Sequence, residues 1–161
     1  MNNAFWFCHR IHASAARLVH AAAYTVPTSI GPVDVATFGC VLLHLRDPFA
    51  ALARVAPLTR EAIIITEPMA GLARHVLPPA VAGVTFRALN RAAPRSWRPS
   101  LRFLPDGAAH APMETWWGLG PTVLCRMLEV LGFGDTTVTW HRQRVGARRW
   151  LMVTVVGRKP P

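Results

Sequence analysis

The spacing of hydrophobic positions in the middle of the chain predicts a strand, a helix and a second strand. Residues 33–39 (VDVATFG) are rich in β-branched and aromatic residues, which is typical of a strand. Asp47 and Pro48 predict a helix start, because an N-cap aspartate accepts from free amide hydrogens and a first-turn proline lacks a donor that would have no partner. Residues 62–66 (AIIIT) form a continuous apolar run, which indicates a strand covered on both faces, as in a parallel sheet.

The C-terminal part of the chain predicts a helix followed by an antiparallel hairpin. Pro121 can open a helix that Gly132 is placed to end. The apolar residues of this helix recur at helical spacing and form one stripe: Leu124, Met127, Leu128 and Leu131. Residues 135–141 and 150–156 alternate or run apolar and are joined by a turn around Gly146, which predicts two paired strands.

The N-terminal part predicts a helix and one further strand. Residues 4–16 have the pattern of a helix end. Phe5, Cys8 and His12 recur at helical spacing within it, and we expect them to pack on one side. A short strand over residues 17–22 (RLVHAA) should follow.

These elements follow one another as strand, helix, strand, insert, helix and hairpin. That is the order of the back half of a three-layer α/β domain, in which helices cover both faces of a mostly parallel sheet. The length of 161 residues fits one domain or part of one. Ligands of such sheets lie at the carboxyl ends of the strands, which here are residues 22–24, 39–44 and 66–69.

Charge adds a basic segment to this picture. Lysine and arginine number 18 against 8 acidic residues, which gives a formal charge of +10, and Lys159 is the only lysine. Residues 68–114 contain six of the arginines, at positions 74, 87, 91, 95, 98 and 102, and are broken by prolines. A basic insert can indicate an anionic partner such as nucleic acid. A solvated arginine face and an arginine-rich genome explain the same composition, so charge alone leaves the partner open.

The length of the apolar runs and the spacing of the cysteines indicate the cellular compartment of the protein. No uninterrupted apolar run approaches the ~18 residues that a membrane span needs. Arg10 interrupts what would be the apolar stretch of a secretory signal. Cys8, Cys40 and Cys125 are odd in number and far apart, with no C-x-x-C pair for a metal or a redox couple. We therefore expect a cytoplasmic protein with reduced thiols, no membrane attachment and no metal site.

Two segments carry a resemblance to a known family. Residues 33–67 (VDVATFGCVLLHLRDPFAALARVAPLTREAIIITE) resemble the central part of class I S-adenosylmethionine-dependent methyltransferases. In that family a strand ends in a small or polar turn, a leucine–histidine pair precedes an aspartate and proline, and the next strand ends near an acid. Residues 116–133 (WWGLGPTVLCRMLEVLGF) resemble the helix before the final hairpin in members similar to tRNA wobble-uridine-modifying methyltransferases.

The resemblance implies an incomplete Rossmann-like methyltransferase sheet, mostly parallel with a C-terminal antiparallel hairpin. Residues 1–161 would form a single partial methyltransferase domain that contains the basic insert 68–114. A complete member begins with a strand, a G-x-G-x-G-like turn and a helix. A second strand follows, which ends in an acid that binds the ribose hydroxyls. Neither the glycine-rich unit nor the second strand is present here. The Gly118-Leu119-Gly120 sequence precedes a helix but follows METWW instead of a strand, so it lacks the required context.

The site residues follow from the same resemblance. S-adenosyl-L-methionine is the implied cofactor, and the residues expected to border it are Ala22, Ala23, Gly39, Cys40 and Val41. Members of the family commonly have an aspartate for the adenine amino group at the end of the strand that corresponds to residues 17–22, and this chain has alanines there. His44 is the candidate catalytic residue, since imidazole titrates near neutrality and can accept a proton or orient the acceptor.

Three residues are candidates for contact with the acceptor. Glu67 could face the substrate at a strand end, and Trp116 with Trp117 could stack on a flat substrate. Structural roles remain open for all of them. His44 could pack under the following helix, the Gly39–Cys40 turn needs no ligand, Glu67 could accept hydrogen bonds from the next helix start, and adjacent tryptophans often pack.

The implied function is methyl transfer to a small-molecule or RNA acceptor, if the missing half of the domain is supplied. Such transfer depends mostly on alignment, since the sulfonium is already activated. The alternatives are a non-catalytic remnant, or a nucleic-acid-binding module that uses the arginine-rich segment 74–102 and the hairpin turn. An upstream start codon would also explain the absent half. Because the missing strands would leave strand 33–39 with an open edge, we expect it to pair with residues 17–22, with a partner chain or with a second copy.

Overall fold

The computed structural model describes residues 2–69, 99–105, 115–145 and 148–160. The helices and strands follow in this order: α1 (Asn2–Ile11), β1 (Val33–Gly39), α2 (Pro48–Val55), β2 (Thr59–Pro68), β3 (Leu101–Phe103), β4 (Trp117–Leu119), α3 (Pro121–Val130), β5 (Asp135–Val145) and β6 (Arg148–Arg158). Within these ranges the strands form a four-stranded sheet in the order β1-β2-β6-β5 and a separate pair of β3 with β4.

The main sheet mixes parallel and antiparallel pairs. β1 and β2 are parallel, with Phe38 opposite Ile65. β6 is antiparallel to both of its neighbours, β2 and β5. Among the described strands the sheet is therefore mixed, and the expectation of a mostly parallel sheet is wrong, because the hairpin supplies two of the three strand pairs.

Local sequence signals give the central and C-terminal elements correctly. β1 has the predicted bounds, and β2 extends the predicted strand at both ends. Asp47 caps α2, since its Oδ1 accepts from the N–H of Ala50 at 2.8 Å and Pro48 follows at the first position. α3 begins at Pro121 as predicted, and Gly132 lies just past its end with a φ of +89°, a backbone conformation that favours glycine.

The N-terminal predictions are wrong in two respects. α1 ends at Ile11, and Cys8 and His12 are exposed, so the expected packed side does not form. Residues 17–22 form no strand and are exposed along their whole length. Pairing of this segment with β1 therefore does not occur, and β1 bonds only to β2 among the described strands. Leu18 and Val19 are the large apolar side chains of residues 17–22 and both are exposed, so the segment buries little apolar surface to offset the entropy of ordering a strand.

The segment before β1 is instead attached to α2. The Tyr24 hydroxyl accepts from the N–H of Asp47 at 3.1 Å, at the start of the helix. Near its end, the Arg54 Nε donates to the carbonyl of Val26 at 2.7 Å. These two hydrogen bonds place residues 24–26 along α2.

One face of the main sheet forms the core. β1, β2 and β6 contribute alternate side chains to it: Ala36, Phe38, Ile63, Ile65, Val153 and Val155. α2 and α3 both pack on this face, through Leu52 and through Leu124 and Leu128. All three leucines are fully buried, and each such side chain contributes roughly 1.5–3 kcal/mol to stability.

The opposite face of the sheet is only partly covered. Val35 on β1 is 44% exposed, Thr37 is exposed, and Ile64 and Thr66 of β2 are half-buried. Helices on both faces were expected, but the described helices α2 and α3 lie on one. The prediction that the β2 run is covered on both faces is therefore wrong for the described residues.

Most of the basic insert lies outside the described residues. Of its six arginines only Arg102 is described, on β3, where it is exposed. The other five, and Gly146 in the hairpin turn, fall in undescribed ranges. None of the described helices is long and apolar enough to cross a membrane.

Candidate functional site

The chain turns sharply where β1 ends, in a segment that we call the tip loop (residues 40–46). Cys40 donates its N–H to the carbonyl of Thr66 at 2.8 Å, which extends the pairing of β1 with β2 by one residue. Its φ is +53°, an uncommon value for a residue with a side chain. A single 3-10 turn, Leu42–His44, then leads towards α2. The tip loop therefore lies at the carboxyl end of the parallel strand pair.

Glu67 lies under the tip loop and holds it. Only 1% of Glu67 is exposed, and its Oε1 accepts from the N–H of Leu42 at 2.8 Å. Its Oε2 is buried and has no hydrogen-bond partner among the described residues. Burial raises the pKa of Glu67 from 4.5 to about 7, while N–H groups of the tip loop, those of Leu42, Val41 and Leu43, act in the opposite direction. Near neutral pH this carboxyl therefore exists both with and without its proton.

Cys40 has an exposed thiol beside this carboxyl. Burial, and then the charge of Glu67, raise the pKa of Cys40 above its ordinary value of 9.0. A nucleophilic cysteine needs the opposite shift, because the thiolate is the reactive form. Cys40 is thus suited to lining the loop and not to attack on a substrate.

The small β3–β4 pair is attached directly to the tip loop. The N–H of Trp116 donates to the carbonyl of Leu43 at 2.8 Å. The Nε1 of Trp117 donates to the carbonyl of Arg46 at 3.1 Å. Two hydrogen bonds thus fix the pair of tryptophans beside the carboxyl end of β1.

Four side chains form what we call the aromatic cluster: Arg46, Phe103, Trp116 and Trp117. The Phe103 ring lies 5.2 Å from that of Trp117, edge to face, and 6.2 Å from that of Trp116. The Arg46 guanidinium lies over the Trp116 ring, 5.2 Å from its centre. Phe103 is 56% exposed, so the cluster presents an aromatic ring and a cation to solvent.

Comparisons with known proteins give structural matches only. No family model and no curated protein matches the sequence. The N-terminal domain of EvdMO1 with SAH bound matches with a TM-score of 0.60 and 18% identity, over 99% of this chain and 60% of that one. The same domain in the presence of SAH and D-fucose matches with a TM-score of 0.60 and 19% identity, over 99% and 61%.

A third match is magnesium protoporphyrin IX methyltransferase (ChlM) from Synechocystis PCC 6803 with bound SAH. Its TM-score is 0.53 at 10% identity, over 97% of this chain and 58% of that one. The chain has a methyltransferase-like fold. It spans about three-fifths of the length of these solved structures.

The methyltransferase-like fold brings most of the predicted site residues to one place. Gly39, Cys40, Val41 and His44 lie in or next to the tip loop, with Glu67 beneath it and Trp116 and Trp117 beside it. Ala22 is exposed and Ala23 is half-buried, and neither lies at the end of a strand. Their neighbour Tyr24 bonds to Asp47 directly after the tip loop. The roles assigned to all of these residues in binding or catalysis stay predictions.

Two of the structural alternatives can be described further. The structural alternative for Glu67 was that it accepts hydrogen bonds from the helix start that follows its strand. Glu67 does accept a hydrogen bond from a turn, but that turn precedes α2 and does not follow β2. His44 is exposed, and its main-chain N–H donates to the carbonyl of Val41 at 3.0 Å. An exposed imidazole at this place is accessible to an acceptor.

Sequence reasoning missed Arg46 and Phe103. Arg46 is one of many arginines, and nothing local marks it as lying on Trp116. Phe103 follows Leu101 with one residue between, a spacing typical of a strand face, but three residues are too few for a reliable prediction. Only the pairing of β3 with β4 brings Phe103 opposite Trp117.

Proposed function

We propose that this chain is the C-terminal part of a methyltransferase that transfers a methyl group from S-adenosylmethionine. The observation that supports this most is the tip loop held by the buried Glu67 at the carboxyl end of β1 and β2. The carboxyl ends of the strands are the ligand-binding edge of doubly wound α/β sheets. The structures with a similar fold were solved with SAH, the demethylated form of that cofactor.

The tip loop is suited to one side of the cofactor. An added Cβ at Gly39 would meet no atom within 4 Å, and Cys40 and Val41 are exposed, so the backbone here is accessible to a ligand. We assign Gly39, Cys40 and Val41 to the methionine end of the cofactor, with Ala22 and Ala23 near its adenosine part. The described residues supply no glycine-rich turn and no acid for the ribose, so the fit is to part of the cofactor.

The side chains of this site would position groups and accept a proton. When bound, S-adenosylmethionine supplies an activated methyl group, so alignment of the acceptor is the main requirement. We propose that His44 accepts the proton of the acceptor, because its imidazole is exposed beside the loop. Glu67 keeps the Leu42 N–H, and hence the loop, in one position.

The missing part of the cofactor site would come from another polypeptide segment. β1 has an unpaired edge among the described strands, and such an edge is a template for another strand. We propose that this edge pairs with an upstream segment, with a partner chain or with a second copy. The acceptor would be a small molecule or RNA, including a tRNA as in the wobble-uridine-modifying methyltransferases, and the protein would be cytoplasmic.

Calorimetric titration with SAH tests the proposal. Binding in the micromolar range or better would favour the enzyme, and Gly39→Leu should weaken the binding about tenfold or more by filling the space beside Cys40. Gly134→Leu is the matched control, since an added Cβ there also meets no atom within 4 Å but the residue precedes β5. Absence of SAH binding, together with RNA binding that falls steeply with salt, would reject the enzyme and favour a nucleic-acid-binding module.

A further inference from the structure

We infer that the aromatic cluster of Arg46, Phe103, Trp116 and Trp117 binds the methyl acceptor, and that this acceptor is a flat aromatic molecule with an anionic group. The inference rests on the proposed function, because it names the substrate class of the same site. It is supported by the position of the cluster, by its exposed ring and by its cation.

The position of the cluster is set by the tip loop. Trp116 bonds to the carbonyl of Leu43, and Trp117 bonds to the carbonyl of Arg46. His44 lies between these two carbonyls in the chain. The cluster therefore borders the segment that carries the proposed proton acceptor, which is where an acceptor molecule must lie.

The exposed ring results from the way β3 extends beyond the core. Leu101 pairs with Leu119 and Phe103 with Trp117, so the four share one face of the β3–β4 pair. Leu119 is 4% exposed, whereas Leu101 is 46% exposed and Phe103 is 56% exposed. β4 thus packs on the core while β3 leaves an apolar surface uncovered. A flat aromatic molecule can cover this surface by stacking on or against Phe103.

Arg46 adds the requirement for a negative charge. The guanidinium of Arg46 contacts the Trp116 ring through a cation–π interaction, which does not require its N–H donors. The ion pair between Arg60 and Asp34 does not involve Arg46, and no carboxylate of the described ranges forms an ion pair with Arg46. A guanidinium in this setting binds a carboxylate or phosphate with two donors. An anionic group on the aromatic ligand would accept hydrogen bonds from these donors.

Binding of 1-naphthoate, measured by calorimetry and by the indole N–H signals in nitrogen-15 NMR, tests the inference. We expect 1-naphthoate to bind at least about tenfold more tightly than the neutral 1-naphthalenemethanol, a difference that Arg46→Gln should abolish. Phe103→Ala should weaken both ligands, and its exposed position allows the fold to be kept. Arg102→Gln is the matched control, since Arg102 is exposed on the other face of β3.

The outcomes separate the inference from the proposed function. Equal binding of the charged and neutral probes, or equal effects of Arg46→Gln and Arg102→Gln, would overturn the inference even if SAH binds. Selective binding of 1-naphthoate without any SAH binding would leave the aromatic-anion site in place and reject the methyltransferase. Uridine monophosphate in a parallel titration distinguishes a nucleotide from an aromatic acid. Binding of an RNA oligomer when no small probe binds would overturn the inference in favour of the nucleic-acid module.

Discussion

Replacement of Glu67 by glutamine should change how the stability of the protein depends on pH. Burial raises the pKa of Glu67 from 4.5 to about 7, so between these pH values the native state keeps a proton that the unfolded chain has lost. Stability must therefore fall as pH rises through this window, and the loss is nearly complete by about pH 8. A pKa difference of this size corresponds to about 3 kcal/mol between about pH 4 and about pH 8.

Urea denaturation across this pH range measures the effect. A glutamine at position 67 retains an oxygen that can accept from Leu42 but has no proton to lose, so the unfolding free energy of wild type relative to Glu67→Gln should fall by about 3 kcal/mol from about pH 4 to about pH 8. Glu61→Gln makes the same chemical change at an exposed residue of β2. The unfolding free energy of wild type relative to Glu61→Gln should therefore stay constant across this pH range.

A constant or rising difference would refute the reasoning. A constant difference would mean that Glu67 loses its proton at the same pH in the native and unfolded states, and a rising one that it loses it at lower pH in the native state. The N–H groups of the tip loop would then match or outweigh burial in setting the pKa of Glu67. The tip loop would be held by a charged carboxylate and not by one that is partly protonated.

Three further pairs of substitutions test the fold by the same urea denaturation. Asp47→Ala should lower the unfolding free energy by about 1 kcal/mol through loss of the helix cap, and Asp47→Asn should retain most of it; equal losses would argue against capping. Gly157→Ala should cost about 1–3 kcal/mol, because an added Cβ would lie 2.9 Å from a methyl group of Leu128, whereas Gly134→Ala has open space. Leu128→Ala should lower the unfolding free energy by about 2–5 kcal/mol. Val130→Ala, at a side chain that is 75% exposed, should change it by no more than about 0.5 kcal/mol. Similar losses for the two variants would contradict the assignment of the core face of α3.

Elements with strong local signals could be predicted from the sequence. The cap by Asp47 and the left-handed Gly132 depend on backbone groups within a few residues, so the chemistry that sets them is visible in the chain itself. The β-branched and aromatic residues of β1 and the apolar run of β2 likewise lie within the strands that they predict. The bounds of β1 agree with the prediction, and those of β2 extend it.

Elements that depend on distant partners could not be predicted in this way. Residues 17–22 were expected to form a strand, yet a strand requires a neighbour and an apolar face, and this segment has neither among the described residues. The prediction that helices cover both faces of the sheet was wrong for the same reason. Sequence periodicity shows that a face is apolar but does not show which helix lies on it, and α2 and α3 lie on the same one.

By itself the sequence determined that the tips of β1 and β2 lie together, since parallel strands joined by a helix end at one edge of a sheet. Tertiary structure alone decided what those tips contain. Glu67 acquires its raised pKa because other parts of the chain exclude water from it, and Arg46 lies on Trp116 because β4 bonds to a loop far away in sequence. Burial and long-range contact are properties of the packed molecule, and no local pattern of residues encodes them.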